Sequence, residues 1–314
     1  MSTRKFKKLK VLAKIEGTSG TDAGPTAAAN GIVLRNVTFT PLEGEKVSRD
    51  LLPGNLGNQG GYLTGTYAKI EGEFDMAGSG TPGTPPAWGV LARMCNRAET
   101  ITEDVSVAYS PISDGEESGT IYWNHDGVRH VLLYCKGNLK GDQTSGKIPV
   151  FKISLIGLLG TITDAVDAAP VLTAFKRPVI VSKANTSISI HGVPSTASPL
   201  ESFAFDDGTK VEPRFLIGSE SVEITDRVST ARAVVEARSL SVVDWFAKAR
   251  AQPRVGDEIV VTHGNVAGNI VEMRGPKAEI DKVAQGETQG ILNYSLDIDL
   301  CPDAGNDEWI ITVK

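Results

Sequence analysis

The chain has 314 residues, of which 40% are hydrophobic and 22% are charged, and its 32 basic and 38 acidic side chains give a net charge of -6. This composition excludes a chain that is disordered throughout, and the length is typical of about two domains. No apolar run approaches the roughly 18 residues of a membrane helix, and residues 1–17 lack the apolar core of a secretory signal. We therefore expect a soluble protein that is made in the cytoplasm and does not enter a membrane.

Short strand patterns separated by turns dominate the first half. Residues 67–76 alternate polar and apolar side chains, and residues 120–124 and 129–135 form two further strand patterns. Asp126-Gly127, a favoured hairpin turn, lies between these two. Residues 151–158 form the strand that closes this half.

The second half has the same character. Residues 178–182 and 186–190 resemble strands that belong to this half, although they lie near the junction. Residues 230–240 form an alternating strand, and residues 292–300 form the closing one.

Three segments of the first half recur in the second in the same order. A strand and turn that lead to Arg49 match a segment leading to Arg214, 165 positions later. The pattern Trp-x-x-x-Ala-Arg begins at Trp88 and again at Trp245, 157 positions later, and the closing strands match at an offset of 141. Matches in one order with falling offsets indicate a duplicated domain whose second copy has shorter loops.

Both tryptophans lie in the only convincing helix of their half. In the first helix Thr84 is a candidate N-cap with Pro85 at the first helical position, and in the second Ser241 and Asp244 approximate a capping box. Few helices and short connections favour antiparallel sheets over a parallel α/β sheet. We predict a mainly β protein with two tandem related β-barrel or sandwich domains, residues 1–165 and 166–314, each with one flanking helix.

The richest glycine stretch is a candidate interaction loop. It lacks the Lys-Ser/Thr of a phosphate-binding loop, and no helix follows it, so we interpret residues 52–66 as a long mobile loop. Residues 218–226 form a protruding counterpart without a glycine cluster. The candidate contact residues are Gly54, Asn55, Leu56, Gly57, Asn58, Gln59, Gly60 and Gly61.

The titratable residues do not form a recognisable catalytic or metal-binding pattern. His130 and Cys135 are five positions apart on one strand and so point to opposite faces. Asp297 and Asp299 share a face opposite Leu296, Ile298 and Leu300, which fits either a carboxylate pair or a solvated sheet face. We expect no enzyme activity, catalytic residue, cofactor or metal.

Charge is divided unevenly along the chain. Residues 1–165 carry 17 basic and 17 acidic groups, whereas residues 166–314 carry 15 and 21. A basic segment at residues 4–10 could touch nucleic acid or an acidic neighbour, but it contains no known DNA-binding motif. A net acidic protein repels DNA phosphates on average.

Several segments resemble the major tail tube proteins of long, flexible-tailed bacteriophages, in particular the two-domain type. The segments that carry the resemblance are Val11–Asp22, Pro25–Asn30, Val37–Gly44, Arg49–Asp50, Ala77–Gly89, Asp126–His130, Val222–Arg227 and Thr262–Ile270. These are scaffold motifs, and they span nearly the whole chain.

The resemblance implies a structural virion protein whose β-domains assemble into stacked rings around a DNA channel. It implies three subunits per ring, with six domains that mimic a hexamer, and it implies contacts with the tape measure, tail terminator and distal tail proteins. Double-stranded DNA would pass through without specific binding during ejection. The glycine loop would join successive rings, and Asp297 and Asp299 would line the channel. The alternative functions are a β-rich ligand-binding module and a tail-associated module that binds or cleaves polysaccharide.

Overall fold

A computed structural model of the chain describes residues 3–52, 54–165 and 169–314. Strands dominate these ranges, and the two α-helices, α1 (Gly89–Met94) and α2 (Trp245–Arg250), have six residues each. The prediction of a mainly β protein is confirmed. No helix within the described ranges has the length and apolar character needed to span a membrane. The domain boundary predicted between residues 165 and 166 adjoins residues 166–168, which lie outside these ranges.

All strand pairs in the described residues are antiparallel, and nearly all of them belong to one sheet. The strands of the first half are β1 (Leu9–Ile15), β2 (Gly31–Ile32), β3 (Arg35–Ser48), β4 (Gly61–Asp75), β5 (Arg97–Thr102), β6 (Ser106–Pro111), β7 (Gly119–His125), β8 (Val128–Thr144) and β9 (Val150–Asp164). The strands of the second half are β10 (Thr186–Ile190), β11 (Val193–Pro194), β12 (Leu200–Asp206), β13 (Thr209–Leu216), β14 (Ser219–Arg227), β15 (Thr230–Glu236), β16 (Asp257–His263), β17 (Val271–Thr288), β18 (Ile291–Cys301) and β19 (Ile310–Val313).

The two halves have the same strand order. In the first half the neighbours run β2-β1-β7-β8-β9-β4-β3. In the second half they run β11-β10-β16-β17-β18-β15-β12. The helix follows β4 in the first half and β15 in the second, so it too occupies the same place. The hairpin β5–β6 is an addition to the first half, and it accounts for part of the falling offsets.

The sheet continues directly from one half into the other. The end of β8 pairs with β12, and β19 of the second half pairs with both β17 and β6. Aromatic side chains meet across this boundary, where the ring centroids of Phe151 and Phe205 lie 6.2 Å apart. A single hydrophobic cluster therefore includes residues of both halves.

A buried ion pair fixes the same boundary. The Arg97 guanidinium donates to both carboxylate oxygens of Asp207, at 2.6 and 2.8 Å, and also to the carbonyl oxygens of Tyr109 and Trp309. Arg97 and Asp207 are only 1% and 2% exposed. Because each buried charge is neutralised by the other, the pair stabilises the contact between the first half and the second.

Both helices begin at or beside their tryptophan, later than the sequence predicts. Trp88 is the N-cap of α1, so Thr84 and Pro85 precede the helix, and the predicted cap is wrong. Asp244 is the N-cap of α2 and accepts a hydrogen bond from the Ala247 backbone N–H, so the cap predicted at Ser241 is also wrong. Trp88 and Trp245 are nevertheless both buried, as expected for core residues.

Other local predictions have mixed outcomes. The hairpin turn at Asp126-Gly127 is confirmed, with positive φ at both residues. The strand predicted over residues 186–190 is β10, whereas residues 178–182 form no strand. Residues 218–226 are largely strand β14 and not a protruding loop, because they pair with β13 to form a hairpin.

Candidate assembly surface

Eight strands from both halves form a continuous sheet, which we call the shared sheet. Their order is β3-β4-β9-β8-β12-β15-β18-β17, and one face of the sheet packs against the hydrophobic core. Period-two alternation places polar side chains on the opposite face, which we call the polar face. The charged residues that line its central groove, of about 480 Å³, are Lys140, Asp142, Lys152, Asp206, Arg232, Asp281, Asp297 and Asp299.

The groove is acidic on balance, with five carboxylates against three cationic groups. The two signs alternate across the strands. Lys140 lies 2.7 Å from Asp206, and Lys152 lies 3.1 Å from Asp142. The polar face is therefore a mosaic of ion pairs with an excess of negative charge.

Asp297 and Asp299 lie on the polar face, and their neighbours Leu296, Ile298 and Leu300 are buried on the other. Their side chains are about half exposed. Arg232 lies 3.6 Å from Asp297 and Arg254 lies 3.3 Å from Asp299, so each carboxylate forms an ion pair. Each aspartate therefore has its own cationic neighbour in the mosaic.

The β3–β4 hairpin forms a long arm, residues 41–52 and 54–66, which we call the first arm. Residues 54–60 lie in its tip, and their side-chain hydrogen bonds stay inside that loop. Gly61 already belongs to β4, where it pairs with Ser48. The loop is thus shorter than the predicted residues 52–66, because residues 61–66 extend the hairpin.

The first arm exposes an unusual amount of apolar surface. Leu56, at the tip, is fully exposed, and Leu52 is 99% exposed. The other exposed large apolar residues of the arm are Leu42, Val47, Leu51, Tyr62 and Leu63. Exposed apolar side chains in this number on one element are typical of an interaction surface.

The second half has a corresponding hairpin, β13–β14, which we call the second arm. Unlike the first, it folds back over β8, β9 and β4. Val222 of this arm is fully buried, and the Glu223 carboxylate lies 3.8 Å from the Lys136 ammonium. Ile217 at its tip is fully exposed. One arm is therefore docked at its base, while the equivalent arm of the first half is exposed.

The basic segment near the start of the chain is folded onto the β7–β8 turn. Arg4 donates to the His125 carbonyl oxygen at 3.0 Å, and the Lys8 ammonium lies 2.9 Å from Asp126. The Lys8 hydrogen bond lowers the pKa of Asp126. Part of the segment that sequence reasoning left open as a nucleic-acid contact is thus engaged within the chain.

The described residues contain no group of three His, Cys, Asp or Glu side chains that could hold a metal ion. Burial raises the pKa of the thiols of Cys95 and Cys135, which disfavours the reactive thiolate. His263 and His191 are buried and bonded to backbone carbonyl groups.

No protein-family model matches the chain, and no curated protein matches it.

Proposed function

We propose that this chain is the tube-forming subunit of a long, flexible bacteriophage tail, a structural virion protein without enzymatic activity. Residues 1–165 and 166–314 form two related β-domains of the tail tube fold. Three copies form a ring with six domains, and the rings stack into a conduit through which DNA is ejected into the host.

The observation that carries the proposal is the repeated strand order together with the continuous sheet. In a ring of six domains, two similar β-units joined edge to edge would supply two neighbouring positions, which is one third of the ring. Strand edges and exposed arms favour aggregation in a monomer, but they are bonding surfaces in a polymer. A single chain that carries both is suited to assembly.

The polar face supports its assignment to the channel wall. Its excess of carboxylates repels DNA phosphates, and its ion pairs leave few free cations to hold a passing duplex. Asp297 and Asp299 are the candidate lining residues on β18. The core lies behind them, and both side chains are about half exposed, so this part of the polar face can form an inner surface.

The first arm supports contact between rings. Its glycine-containing tip, residues 54–61, exposes Leu56 fully, which suits a segment that orders against the next ring. In the virion, the tube would also contact the tape measure, tail terminator and distal tail proteins. Assembly would take place in the host cytoplasm, and no membrane contact is proposed.

Electron microscopy of the purified chain, combined with sedimentation over a concentration series, tests the function. We expect rings of three subunits at low concentration and stacked tubes at high concentration. A protein that stays monomeric throughout would contradict the proposal. Binding of polysaccharides by that monomer would instead favour a carbohydrate-binding module.

A further inference from the structure

We propose that one copy joins the next by pairing the free edge of β3 with the free edge at the end of β17, which repeats between chains the β8–β12 junction found within the chain. The inference rests on the proposed function and names the surface by which copies meet in a ring. It follows from comparing the two halves residue by residue.

The strand pairings fix which positions correspond. Leu155 of β9 lies opposite Ile70 and Gly137, and Leu296 of β18 lies opposite Ala233 and Val283. This makes β8 the counterpart of β17, with an offset of 146. Next, Phe39 lies opposite Ile70, and Phe203 lies opposite Ala233, so β3 is the counterpart of β12 with an offset of 164.

Within the chain, the counterpart strands form the internal junction. Residues 140–144 of β8 pair with residues 202–206 of β12. The pairing is bracketed by hydrogen bonds from the Asp207 N–H to the Leu139 carbonyl oxygen, at 3.0 Å, and from the Ser145 N–H to the Glu201 carbonyl oxygen, at 2.9 Å. On the core side, Gly141 leaves room for the ring of Phe205.

The second half offers the same edge without a strand paired to it in the described ranges. β17 pairs with β16 only as far as Ala278, just as β8 pairs with β7 only as far as Cys135. Beyond that point the same edge of β8 carries β12, whereas in the described part of the chain no strand pairs with the corresponding edge of β17. The last four residues of β17, 285–288, are all exposed.

The first half offers the matching strand. Among the described residues β3 pairs only with β4, and none of its residues is buried. Its counterpart β12, by contrast, is covered at the junction, where Phe203 and Phe205 are buried. Within the part of the chain that the structure describes, the first half thus has an unpaired β3 edge, and the second half has an unpaired β17 edge. These correspond to the two strands, β12 and β8, that pair at the internal junction.

Transposing the internal register predicts the register between copies. Ala204 lies opposite Asp142 at the internal junction, so Thr40 of one copy lies opposite Thr288 of the next. Pro41 takes the place of Phe205, and it has no N–H to donate. The junction between copies therefore has fewer backbone hydrogen bonds than the internal one, which suits reversible assembly and protects the monomer from indiscriminate pairing.

Charge supports the same docking. Lys136, immediately after a bulge in β8, lies 3.3 Å from Glu116 and 3.8 Å from Glu223 of the second arm. Its counterpart is Lys282, immediately after a bulge in β17. Lys282 is exposed and has no ion pair with any described residue. The base of the first arm carries Glu43 and Glu45, which likewise have no ion-pair partner in the described ranges. Docking of the first arm on the next copy would bring these charges together.

The contact is heterologous, since it joins the first half of one copy to the second half of another. Such contacts close into a ring when the rotation between copies allows it, and otherwise they generate a filament. The proposed junction between copies has the geometry of the β8–β12 junction within the chain. Each half is then rotated by nearly the same angle relative to the one before it, which favours a closed ring.

Cysteine cross-linking tests the register directly. The bracketing hydrogen bonds place Ala204 and Asp142 in a non-hydrogen-bonded pair, where Cα atoms lie about 4.5 Å apart, within disulfide range. We expect Thr40→Cys/Thr288→Cys, in a Cys301→Ser background, to form covalent dimers and trimers on oxidation. The single variants should form at most dimers through other contacts, and Thr40→Cys/Lys282→Cys, out of register, should form no trimers.

A matched positive control is Asp142→Cys/Ala204→Cys. This variant should form a disulfide within one chain and give no series of covalent oligomers. If wild-type protein assembles but the Thr40→Cys/Thr288→Cys variant forms no trimers while the internal control closes, the interface is wrong and the proposed function stands. If wild-type protein never associates and no covalent oligomers form, both proposals fall.

Discussion

His263 shows how burial couples a single side chain to pH. It is 1% exposed, and its Nε2–H donates to the Val179 carbonyl oxygen at 3.1 Å, so Nδ1 accepts from the Thr186 hydroxyl at 2.8 Å. This arrangement requires the neutral ring. Burial lowers the pKa of His263 below its ordinary value of 6.5, and burial also lowers the pKa of His191.

A lowered folded-state pKa means that the stabilisation is present above the unfolded pKa and is lost as pH falls toward the folded pKa. We therefore expect the free energy of unfolding to decrease as pH falls from 7.5 to 5.5. In His263→Gln, that decrease should be smaller. Denaturant titrations at both pH values check this, and equal losses in variant and wild type would contradict it.

The charges of Asp297 and Asp299 matter if the polar face lines the channel. In Asp297→Lys/Asp299→Lys the face gains cations, and each cationic contact with phosphate adds a salt-dependent attraction. We expect assembled tubes of this variant to retain double-stranded DNA in co-sedimentation at low salt and to release it at high salt.

The matched control is Glu103→Lys/Asp104→Lys, which makes the same charge change on an exposed turn between β5 and β6. It should retain less DNA than the double variant on β18. Equal retention by the two variants would place Asp297 and Asp299 outside the channel.

At the scale of elements, the two helices depend on one tryptophan each. Trp88 packs on Phe74, Phe151 and Tyr109, and its indole N–H donates to the Ala77 carbonyl oxygen at 2.7 Å. Trp245 is equally buried, but its indole N–H has no partner among the described residues.

We expect Trp88→Ala and Trp245→Ala each to lower the free energy of unfolding by about 3–5 kcal/mol. Phenylalanine distinguishes the two sites. Trp88→Phe leaves a buried carbonyl group without its donor and should cost about 1–3 kcal/mol more than Trp245→Phe. Chemical denaturation measures all four variants, and equal costs for the two phenylalanine variants would show that the hydrogen bond is not significant.

The first arm is a second element with a separable role. Deletion of residues 54–61 should leave the core and the rest of the β3–β4 pairing intact, because Gly61, opposite Ser48, is the only deleted residue that pairs with β3 among the described residues. We expect single rings that no longer stack, and Leu56→Asp should weaken stacking less. Normal tubes from the deletion variant, seen by electron microscopy, would reject this role.

Sequence patterns predicted strands well where alternation and turn chemistry act locally. Residues 120–124, 129–135 and 292–300 fall in strands, and the alternation of Asp297 and Asp299 with Leu296 and Leu300 matches their observed faces. Residues 178–182 form no strand, because Val181 reaches the core and bonds to Lys147 while Ile180 stays 52% exposed. Of the apolar residues 178–181, only Val181 is buried.

At the scale of the whole molecule, the Arg97–Asp207 pair carries much of the coupling between halves. Removing one member leaves a buried charge without its partner, which costs about 3–5 kcal/mol. We expect Arg97→Ala to lose that amount of stability, and Arg97→Met/Asp207→Leu to be much closer to wild type. Chemical denaturation of both variants, followed by tryptophan fluorescence, tests this. A double variant as unstable as Arg97→Ala would show that the ion pair is itself required.

The junction between halves could not be predicted from the sequence. Phe203 and Phe205 signal a strand with one buried face, but nothing in their pattern identifies β8 as the neighbour. Strand pairing depends on long-range geometry, and Arg97 lies in the added hairpin β5–β6, which has no repeat to reveal it. The candidate residues at the arm tip and on β18 were recognisable because local composition and alternation mark them.

The pairing of β19 with β6 sets an order of events during synthesis. Val107 pairs with Val313, 206 positions later, so this edge of β6 stays without its partner until β19 has been synthesised. Contacts this distant in sequence form slowly, because a long loop must close first. During synthesis, the first half therefore lacks the pairing of β6 with β19 until β19 has been made.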